Sequence, residues 1–321
     1  MKEELPLVSI ICTAYNHEPY IKDALNGFII QKTNFKFEVL ISDDCSTDRT
    51  ATIIKSYVDK YPGIFIPFYH EQNLYSQGID FSDELYGNSK GKYIALCEGD
   101  DYWIDPLKLQ KQVDFMESHP DYGLVHTNYK IVDEKNDFLP KFDRKWASGN
   151  VFEQVYNKDY HIVTPSVLFK KKMYDECKDK ICEKQYKMGD FQMWLVFSYV
   201  AKVKFLNEIM VYYRLLPKSA SHSESIKYVY DFQYCLFLIR RGFASKYNIK
   251  YNKRILCSNL YEVMVKECYM KNDPYNATRF YKKMLTCNML NMIRIKPLMF
   301  LLGSHSDFWK KMITSIYKLR G

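Results

Sequence analysis

The first half of the chain alternates short apolar runs with helix-like segments, and this alternation constrains its fold more than any other feature. Apolar runs that indicate buried strands lie at residues 7–11, 37–41, 64–68 and 92–97. Between the first two runs, Ile21, Leu25 and Phe28 recur at helical spacing on one face. The alternation predicts an α/β fold with a largely parallel, doubly wound sheet.

The pattern changes further along the chain. After Pro106 come a helix, a strand at residues 123–129 and a less regular stretch, followed by a helix and a strand within residues 190–213. From about residue 225 the pattern is helical throughout, with aromatic and aliphatic residues among Lys and Arg. We therefore predict two domains, a catalytic domain at residues 1–224 and a helical, basic C-terminal region at residues 225–321.

Composition indicates a globular protein of the cell interior. A chain of 321 residues with 47% hydrophobic residues can bury a full core. Its nine cysteines are odd in number and lack Cys-x-x-Cys spacing, so we expect reduced thiols. The apolar start is too short for a signal peptide, and no run approaches the roughly 18 apolar residues of a membrane span. We expect a cytoplasmic protein, at most attached to the inner face of the cell membrane.

Charge is distributed unevenly along the chain. Residues 225–321 hold 18 Lys and Arg against 5 Asp and Glu, a net charge of +13, whereas the whole chain stands at +8, which leaves −5 for residues 1–224. An anionic membrane surface or nucleic acid would suit this basic region, and a solvated helical face explains it equally well. Packing onto the catalytic domain or a second subunit is a further alternative. The chain has no recognised nucleic-acid motif, so we expect no nucleic-acid partner.

Acidic residues follow the predicted strands. Asp43 and Asp44 come after the second strand, Asp100 and Asp101 after the fourth, and Asp190 opens a helix. Because the carboxyl ends of parallel strands meet at one edge of a sheet, these side chains are expected to converge there. Carboxylates together with substrate phosphates are typical ligands of Mg²⁺, although such residues also cap helices and turns. A G-x-G-x-x-G motif is absent after the first strand, which argues against an ordinary dinucleotide-binding unit.

Several motifs follow one another along about residues 6–215. They consist of the residues 8–16 (VSIICTAYN), 41–48 (ISDDCSTD), 91–94 (GKYI) with 99–101 (GDD), and 189–194 (GDFQMW). In order and spacing these motifs resemble the nucleotide-sugar-dependent glycosyltransferases of family 2. The resemblance implies a GT-A fold, a nucleotide-diphosphate-sugar donor and transfer with inversion at the anomeric carbon.

The resemblance also implies roles in donor binding. Thr13 and Tyr15 would contact the base and ribose, and Asp44 would accept a hydrogen bond from the imide N–H of uracil or thymine, so a UDP- or dTDP-sugar is expected. Asp43 would be structural. Asp100 would hold the ribose or help bind the metal, and Asp101 would coordinate Mg²⁺ or Mn²⁺ on the diphosphate.

Further roles concern catalysis. Asp190 resembles the general base of the family, with a helix cap as the alternative. Arg214 resembles an arginine suited to diphosphate oxygens, and His222 is a weaker candidate for the same region. Trp103 and Trp194 could stack on an acceptor sugar or simply fill the core.

These roles together predict an enzyme of cell-surface polysaccharide biosynthesis. It would move a sugar to a hydroxyl of a glycan or lipid-linked acceptor, with possible peripheral membrane contact or self-association. The alternative is a nucleotide-sugar-binding assembly partner without turnover, against which the intact acidic residues argue.

Overall fold

The structure is a computed structural model that describes residues 5–140, 146–157, 160–181, 188–216, 225–287 and 295–318. The chain divides into two compact units, which we call the sheet unit and the helical unit. The sheet unit comprises Met1–Gln185 and Gly189–Leu215, and the helical unit comprises Tyr186–Met188 and Leu216–Gly321. The domain boundary predicted at residue 224 lies outside the described residues.

One mixed sheet forms the centre of the sheet unit. Its strands, in the described part of the chain, are β1 (Val8–Ala14), β2 (Phe37–Asp43), β3 (Phe65–Tyr69), β4 (Tyr93–Leu96), β5 (Tyr102–Trp103), β6 (Tyr122–Val132), β7 (Phe138–Leu139), β8 (Leu168–Lys170) and β9 (Lys202–Arg214). Their order is β3-β2-β1-β4-β8-β6-β9-β5, and β7 pairs with β6.

The direction of the strands changes partway across the sheet. The four strands β3, β2, β1 and β4 are parallel, as is the pair of β6 and β9. Strand β8 runs antiparallel between β4 and β6, and the short β5 and β7 are antiparallel edge additions. The predicted α/β class with a mostly parallel central sheet is confirmed, whereas the antiparallel direction of these three short strands was not predicted.

Helices flank this sheet. Those described in the sheet unit are α1 (Ile21–Ile29), α2 (Thr50–Lys60), α3 (Ser82–Asn88), α4 (Lys108–Ser118), α5 (Phe152–Asn157), α6 (Lys171–Ile181) and α7 (Gly189–Val200). Strand β1 shows why the layers form, since its residues are buried on both faces and α1 packs Ile21, Leu25 and Phe28 into the same core.

A buried polar contact fixes β4 beside β1. The Ser9 hydroxyl donates to Glu38 Oε1 at 2.6 Å, and the Lys90 N–H donates to the same oxygen at 2.7 Å. The Gly91 N–H donates to Ser9 Oγ at 2.8 Å. A Cβ atom on Gly91 would lie 2.4 Å from the Ser9 backbone nitrogen, so only glycine fits this approach. These contacts explain the Gly-Lys-Tyr motif as a structural feature of the sheet.

The helical unit has a separate hydrophobic core. Its helices in the described residues are α8 (Ile226–Lys246), α9 (Lys253–Met270), α10 (Pro274–Cys287), α11 (Ile295–His305) and α12 (Asp307–Lys318). Met264 and Val265 of α9 and Phe280 of α10 lie at the centre of this core. The prediction of a helical C-terminal extension is confirmed. No helix in the described ranges is both long and apolar enough to cross a membrane.

Candidate active site

The carboxyl ends of β1, β2 and β4 bring their following segments together, as the sequence predicted. The Asp44 N–H donates to the Ala14 carbonyl at 2.9 Å, which joins the end of β2 to that of β1. On the other side of β1, the Gly99 N–H donates to the Thr13 carbonyl at 2.9 Å. The two acidic pairs therefore lie on either side of the same strand end, although they are remote along the chain.

The loops after β1 and β2 are joined by side-chain hydrogen bonds. The Asn16 N–H donates to Ser46 Oγ at 2.9 Å, and the Glu18 N–H donates to Asp48 Oδ2 at 3.0 Å. The second oxygen of Asp48 accepts the Thr50 N–H at 2.9 Å at the start of α2. Several polar residues that follow β1 and β2 therefore serve to hold the two loops in place.

Glu98, Asp100 and Asp101 form a compact acidic cluster after β4. Burial raises the pKa of Glu98 to about 8, with the charge of Asp100 adding to the effect. Burial likewise raises the pKa of Asp101, followed by the charges of Asp100 and Glu98. Burial and the same three carboxylates raise the pKa of the Cys12 thiol. The cluster therefore places several carboxyl groups where burial and their mutual repulsion disfavour the charged forms.

Arg214, at the end of β9, holds this cluster in position. Its backbone N–H donates to Asp101 Oδ1 at 2.7 Å, and its Nε donates to the Asp100 carbonyl at 2.7 Å. Its remaining guanidinium nitrogens donate to Asn136 Oδ1 at 2.8 Å and to Asp23 Oδ2 at 3.0 Å. The side chain is fully buried and each of its nitrogens has a protein partner, while its predicted contact with diphosphate oxygens stays a prediction. It is a positioning residue for the acidic cluster.

The residues predicted to contact the nucleotide differ in exposure. Tyr15 has 42% of its surface exposed, and Thr13 is partly exposed at the end of β1. Asp44 is buried, and its two carboxylate oxygens accept the backbone N–H groups of Leu74 at 2.7 Å and Tyr75 at 3.1 Å. Asp44 therefore also anchors the segment after β3, a role that the sequence did not reveal.

Asp190 lies at the start of α7 and within electrostatic reach of the cluster. Its Oδ1 accepts the Phe191 N–H at 2.7 Å, which is a helix-terminal contact. Asp190 is an exposed residue. The protein atoms around its carboxyl group nevertheless disfavour the charged form, which raises the pKa of Asp190. The negative charge of Asp190 also contributes to the raised pKa of Glu98. The carboxylate after β4 and the one on α7 thus interact, although about 90 residues separate them.

The two tryptophans occupy the core. Trp103 is buried against Phe28 with ring centroids 5.1 Å apart, and its Nε1 donates to the Pro165 carbonyl at 2.8 Å. Trp194 is also buried and packs against Phe197. Of the two alternatives that the sequence left open, acceptor stacking and core packing, the burial of both rings favours core packing. His222 lies outside the described residues.

Two groups of the site were not predicted as functional. Oε2 of Glu98 is buried and has no hydrogen-bond partner within the described part of the chain. The same holds for Nδ1 of His17, which packs against Gly99, since a Cβ atom there would lie 2.9 Å away. The sequence signal for Glu98 was its place two residues before Asp100, whereas nothing in the sequence distinguished His17 from a structural histidine.

The acidic cluster fits a divalent cation. A buried carboxylate oxygen without a partner and several carboxyl groups that mutually raise their pKa values are stabilised by positive charge. Among the described residues, however, no group of three or more His, Cys, Asp or Glu side chains is arranged so that it could hold a metal ion. This combination suits Mg²⁺ or Mn²⁺ held by one or two carboxylates together with substrate phosphates.

Comparison with known proteins identifies the family. Residues 9–177, more than half of the chain, match the model of Glycosyl transferase family 2. The chain therefore belongs to glycosyl transferase family 2. An uncharacterized protein of Mycobacterium tuberculosis is 33% identical over 220 residues, which cover 67% of this chain and 61% of that protein. TuaG of Bacillus subtilis, named for teichuronic acid biosynthesis, is 31% identical over 137 residues, covering 43% and 52%. The chain thus spans about three fifths of the length of the first of these relatives.

Solved structures share the fold. TarS 1-349 from S. aureus in complex with UDP-GlcNAc aligns with a TM-score of 0.57 at 17% identity, covering 87% of this chain and 88% of that chain. The mannosyltransferase PcManGT from Pyrobaculum calidifontis, in complex with GDP-Man and Mn²⁺, aligns with a TM-score of 0.52 at 14% identity, covering 94% and 86%. These similarities confirm the predicted GT-A type of fold.

Proposed function

We propose that this glycosyltransferase moves a sugar from a UDP- or dTDP-sugar to a hydroxyl of a glycan or lipid-linked acceptor, with inversion. The observation that carries the proposal is geometric: hydrogen bonds from the Asp44 N–H to the Ala14 carbonyl and from the Gly99 N–H to the Thr13 carbonyl place Asp44 and the acidic cluster on either side of the end of β1. The contribution of Asp190 to the raised pKa of Glu98 agrees with this arrangement. It supports a single cleft in which one group of carboxylates faces the donor and another faces the acceptor. The relative named for teichuronic acid biosynthesis supports a place in cell-surface polysaccharide synthesis.

Donor binding rests on residues at the ends of β1 and β2. The exposed ring of Tyr15 packs on the base, and Thr13 contacts the base or ribose. A carboxylate has about four acceptor sites, so Asp44 can accept the imide N–H of uracil or thymine beside its two backbone bonds. Asp101, with Asp100, holds Mg²⁺ or Mn²⁺, and this cation supplies positive charge to the diphosphate.

Transfer is a single displacement. The raised pKa of Asp190 makes it a better proton acceptor than an ordinary aspartate, and it takes the proton of the acceptor hydroxyl. The acceptor oxygen forms a bond to the anomeric carbon as the bond from that carbon to the diphosphate breaks. Arg214 keeps Asp100 and Asp101 in place while charge grows on the departing nucleotide diphosphate.

The test is a panel of UDP-, dTDP- and GDP-sugars, assayed for binding and for donor hydrolysis with Mn²⁺. We expect Asp101→Ala to lose donor binding. Asp190→Asn should bind donor as the wild type does, but with turnover reduced about 100-fold or more, because the amide cannot accept the proton. Asp175→Asn, an exposed helical aspartate on α6, is the matched control and should change neither property.

Two results would contradict this function. Full turnover by Asp190→Asn would remove its assignment as the base. Tight donor binding by the wild type without turnover on any donor or acceptor would favour the non-catalytic assembly partner.

A further inference from the structure

Three large apolar side chains are exposed at one end of the helical unit. Met270 ends α9, Tyr275 lies in the first turn of α10, and Phe308 lies in the first turn of α12. Their exposed fractions are 65%, 77% and 71%, the largest among those apolar side chains of this unit whose exposure the structure describes. Isolated exposed apolar residues are ordinary, but a group of them marks an interaction surface.

Hydrogen bonds bring these three residues to the same end. Lys310 of α12 donates to the side chain of Asn272, in the turn between α9 and α10. The turn between α11 and α12 is joined to α10 by a bond of 2.8 Å between His305 Nε2 and Thr278 Oγ1. The two turns therefore lie side by side. We call Met270, Tyr275 and Phe308, which lie at this end of the helical unit, the apolar tip.

Four cationic residues lie close to the residues of the apolar tip in the sequence. Lys271 follows Met270, and Lys310 and Lys311 follow Phe308. Arg279 lies one helical turn after Tyr275 on the same face of α10. The nearby acids are Asp273, Asp307 and Glu267, which lies one helical turn before Lys271. Asp273 accepts two hydrogen bonds from Asn276. The tip therefore carries a positive balance within a region of net charge +13.

The sequence of α12 has the character of an interfacial helix. Phe308, Trp309 and Met312 recur on one side of the helical pattern, and Lys310 and Lys311 lie on the other side. Lysines flanking a Phe-Trp pair on an amphipathic helix suit the boundary between lipid headgroups and acyl chains. Nucleic acid would be attracted by the charge alone and would not favour the burial of Met270 or Phe308.

We propose that the apolar tip inserts into an anionic lipid bilayer, with Lys271, Arg279, Lys310 and Lys311 on the headgroups. Apolar insertion and attraction to anionic lipid act together, because either contribution alone gives weak binding. The lipid-linked acceptor of the proposed function explains why such an attachment would be useful. Binding to vesicles needs neither donor nor turnover, so the two proposals fail separately.

The test is sedimentation of the full chain with vesicles containing phosphatidylglycerol, compared with vesicles of phosphatidylcholine alone. We expect binding to the anionic vesicles only. The double variant Tyr275→Ser/Phe308→Ser should bind them at least about tenfold more weakly. The matched control is Tyr228→Ser/Ile255→Ser, which removes side chains that are 42% and 43% exposed. Ile255 lies 15 residues from Met270 at the opposite end of α9, and this control should bind as the wild type does.

A charge-reversal pair separates local from overall attraction. Lys310→Glu/Lys311→Glu and Lys253→Glu/Arg254→Glu change the net charge equally, but only the first pair lies at the tip. We expect the first to weaken vesicle binding at least about tenfold and the second much less. Circular dichroism and unchanged donor binding confirm that each variant is folded.

Three outcomes would overturn the proposal. The first is a wild type that does not sediment with anionic vesicles. The second is an equal loss in the tip and control variants. The third is self-association of the wild type that the tip variant abolishes without any vesicle binding, which would make a second copy of this chain the occupant.

Discussion

Lys108 carries an ammonium group into the core of the sheet unit. Its side chain is fully buried, with Nζ 2.9 Å from Gln112 Oε1 and 3.8 Å from the centroid of the Trp103 ring. These contacts supply one acceptor and one cation–π partner. Burial lowers the pKa of Lys108 to about 7, against a small opposing effect of Cys97. The folded state therefore releases this proton far more readily than the unfolded chain does.

This difference predicts a pH dependence of stability. Between about pH 7 and the unfolded pKa of about 10.4, the unfolded chain binds a proton that the folded chain lacks, so the contribution of Lys108 to stability rises with pH. The free energy of unfolding of the wild type should gain about 2 kcal/mol relative to Lys108→Met between pH 7 and pH 9. Denaturant unfolding of both proteins at several pH values measures it. A constant difference would show that Lys108 is not titrating in the folded state.

Gly91 predicts a second effect of a single side chain. Gly91→Ala places a Cβ atom 2.4 Å from the backbone nitrogen of Ser9, so β1 and β4 must separate. We expect a loss of about 1–3 kcal/mol in the free energy of unfolding. Gly87→Ala is the control, since a Cβ atom there meets nothing within 4 Å, and its helical position should make it neutral or slightly stabilising. Equal stability of the two variants would contradict this explanation of the motif.

Single residues also show how far the sequence could predict the site. The positions of Asp44, Asp100 and Asp101 at strand ends followed from the pattern of strands. The burial of Trp103 and Arg214 did not, because it depends on Pro165 and Asp23, which lie far away in the sequence. An aromatic or cationic residue in a motif is identical in sequence whether it faces a ligand or the core. The unpartnered atoms of Glu98 and His17 are likewise set by neighbours from distant segments.

At the level of loops and helices, the main structural feature is the set of hydrogen bonds between the loop after β1 and the loop after β2. Glu18 illustrates the pairing, because its carboxylate accepts the Arg49 backbone N–H at 2.9 Å and its own N–H donates to Asp48. These contacts place Tyr15 beside the end of β2. Because Tyr15 is the proposed contact for the donor base, a change that loosens these loops should also weaken donor binding.

Asp48→Ala tests this coupling. The change removes acceptors for the Glu18 and Thr50 N–H groups, and we expect a loss of about 1–2 kcal/mol in stability together with weaker donor binding. Arg49→Ala removes only a solvent-exposed ion pair to Glu18, so its effect on stability should be clearly smaller than that of Asp48→Ala. Thermal unfolding and donor titration of both variants give the comparison. A larger effect from Arg49→Ala would assign the loop contact to the ion pair instead.

Strands differed in how well the sequence predicted them. β1, β2 and β4 are continuous apolar runs, and their burial on both faces fixes their place in a parallel sheet. β8 spans three residues and β5 and β7 two each, which is too short for a periodic pattern. β8 lies between β4 and β6, and no local sequence signal predicts which strands it pairs with or in which direction.

The whole molecule combines a family 2 sheet unit with a basic helical unit. The sheet unit carries the acidic cluster and Asp190, and the helical unit carries the apolar tip. The +13 charge of residues 225–321 could be counted in the sequence, but the grouping of Met270, Tyr275 and Phe308 could not. That grouping depends on hydrogen bonds between turns, which residue periodicity does not report.

The central claim is that acidic residues remote in the chain share one cleft around a donor diphosphate. Crystals grown with UDP and Mn²⁺ test it most directly, because Mn²⁺ can be located by its anomalous scattering. The account predicts an anomalous peak at the carboxylate of Asp101, a uracil ring against Tyr15, and the Asp190 carboxylate opening onto the same cleft. A Mn²⁺ ion bound elsewhere, or UDP bound on a face that Asp190 does not reach, would contradict it.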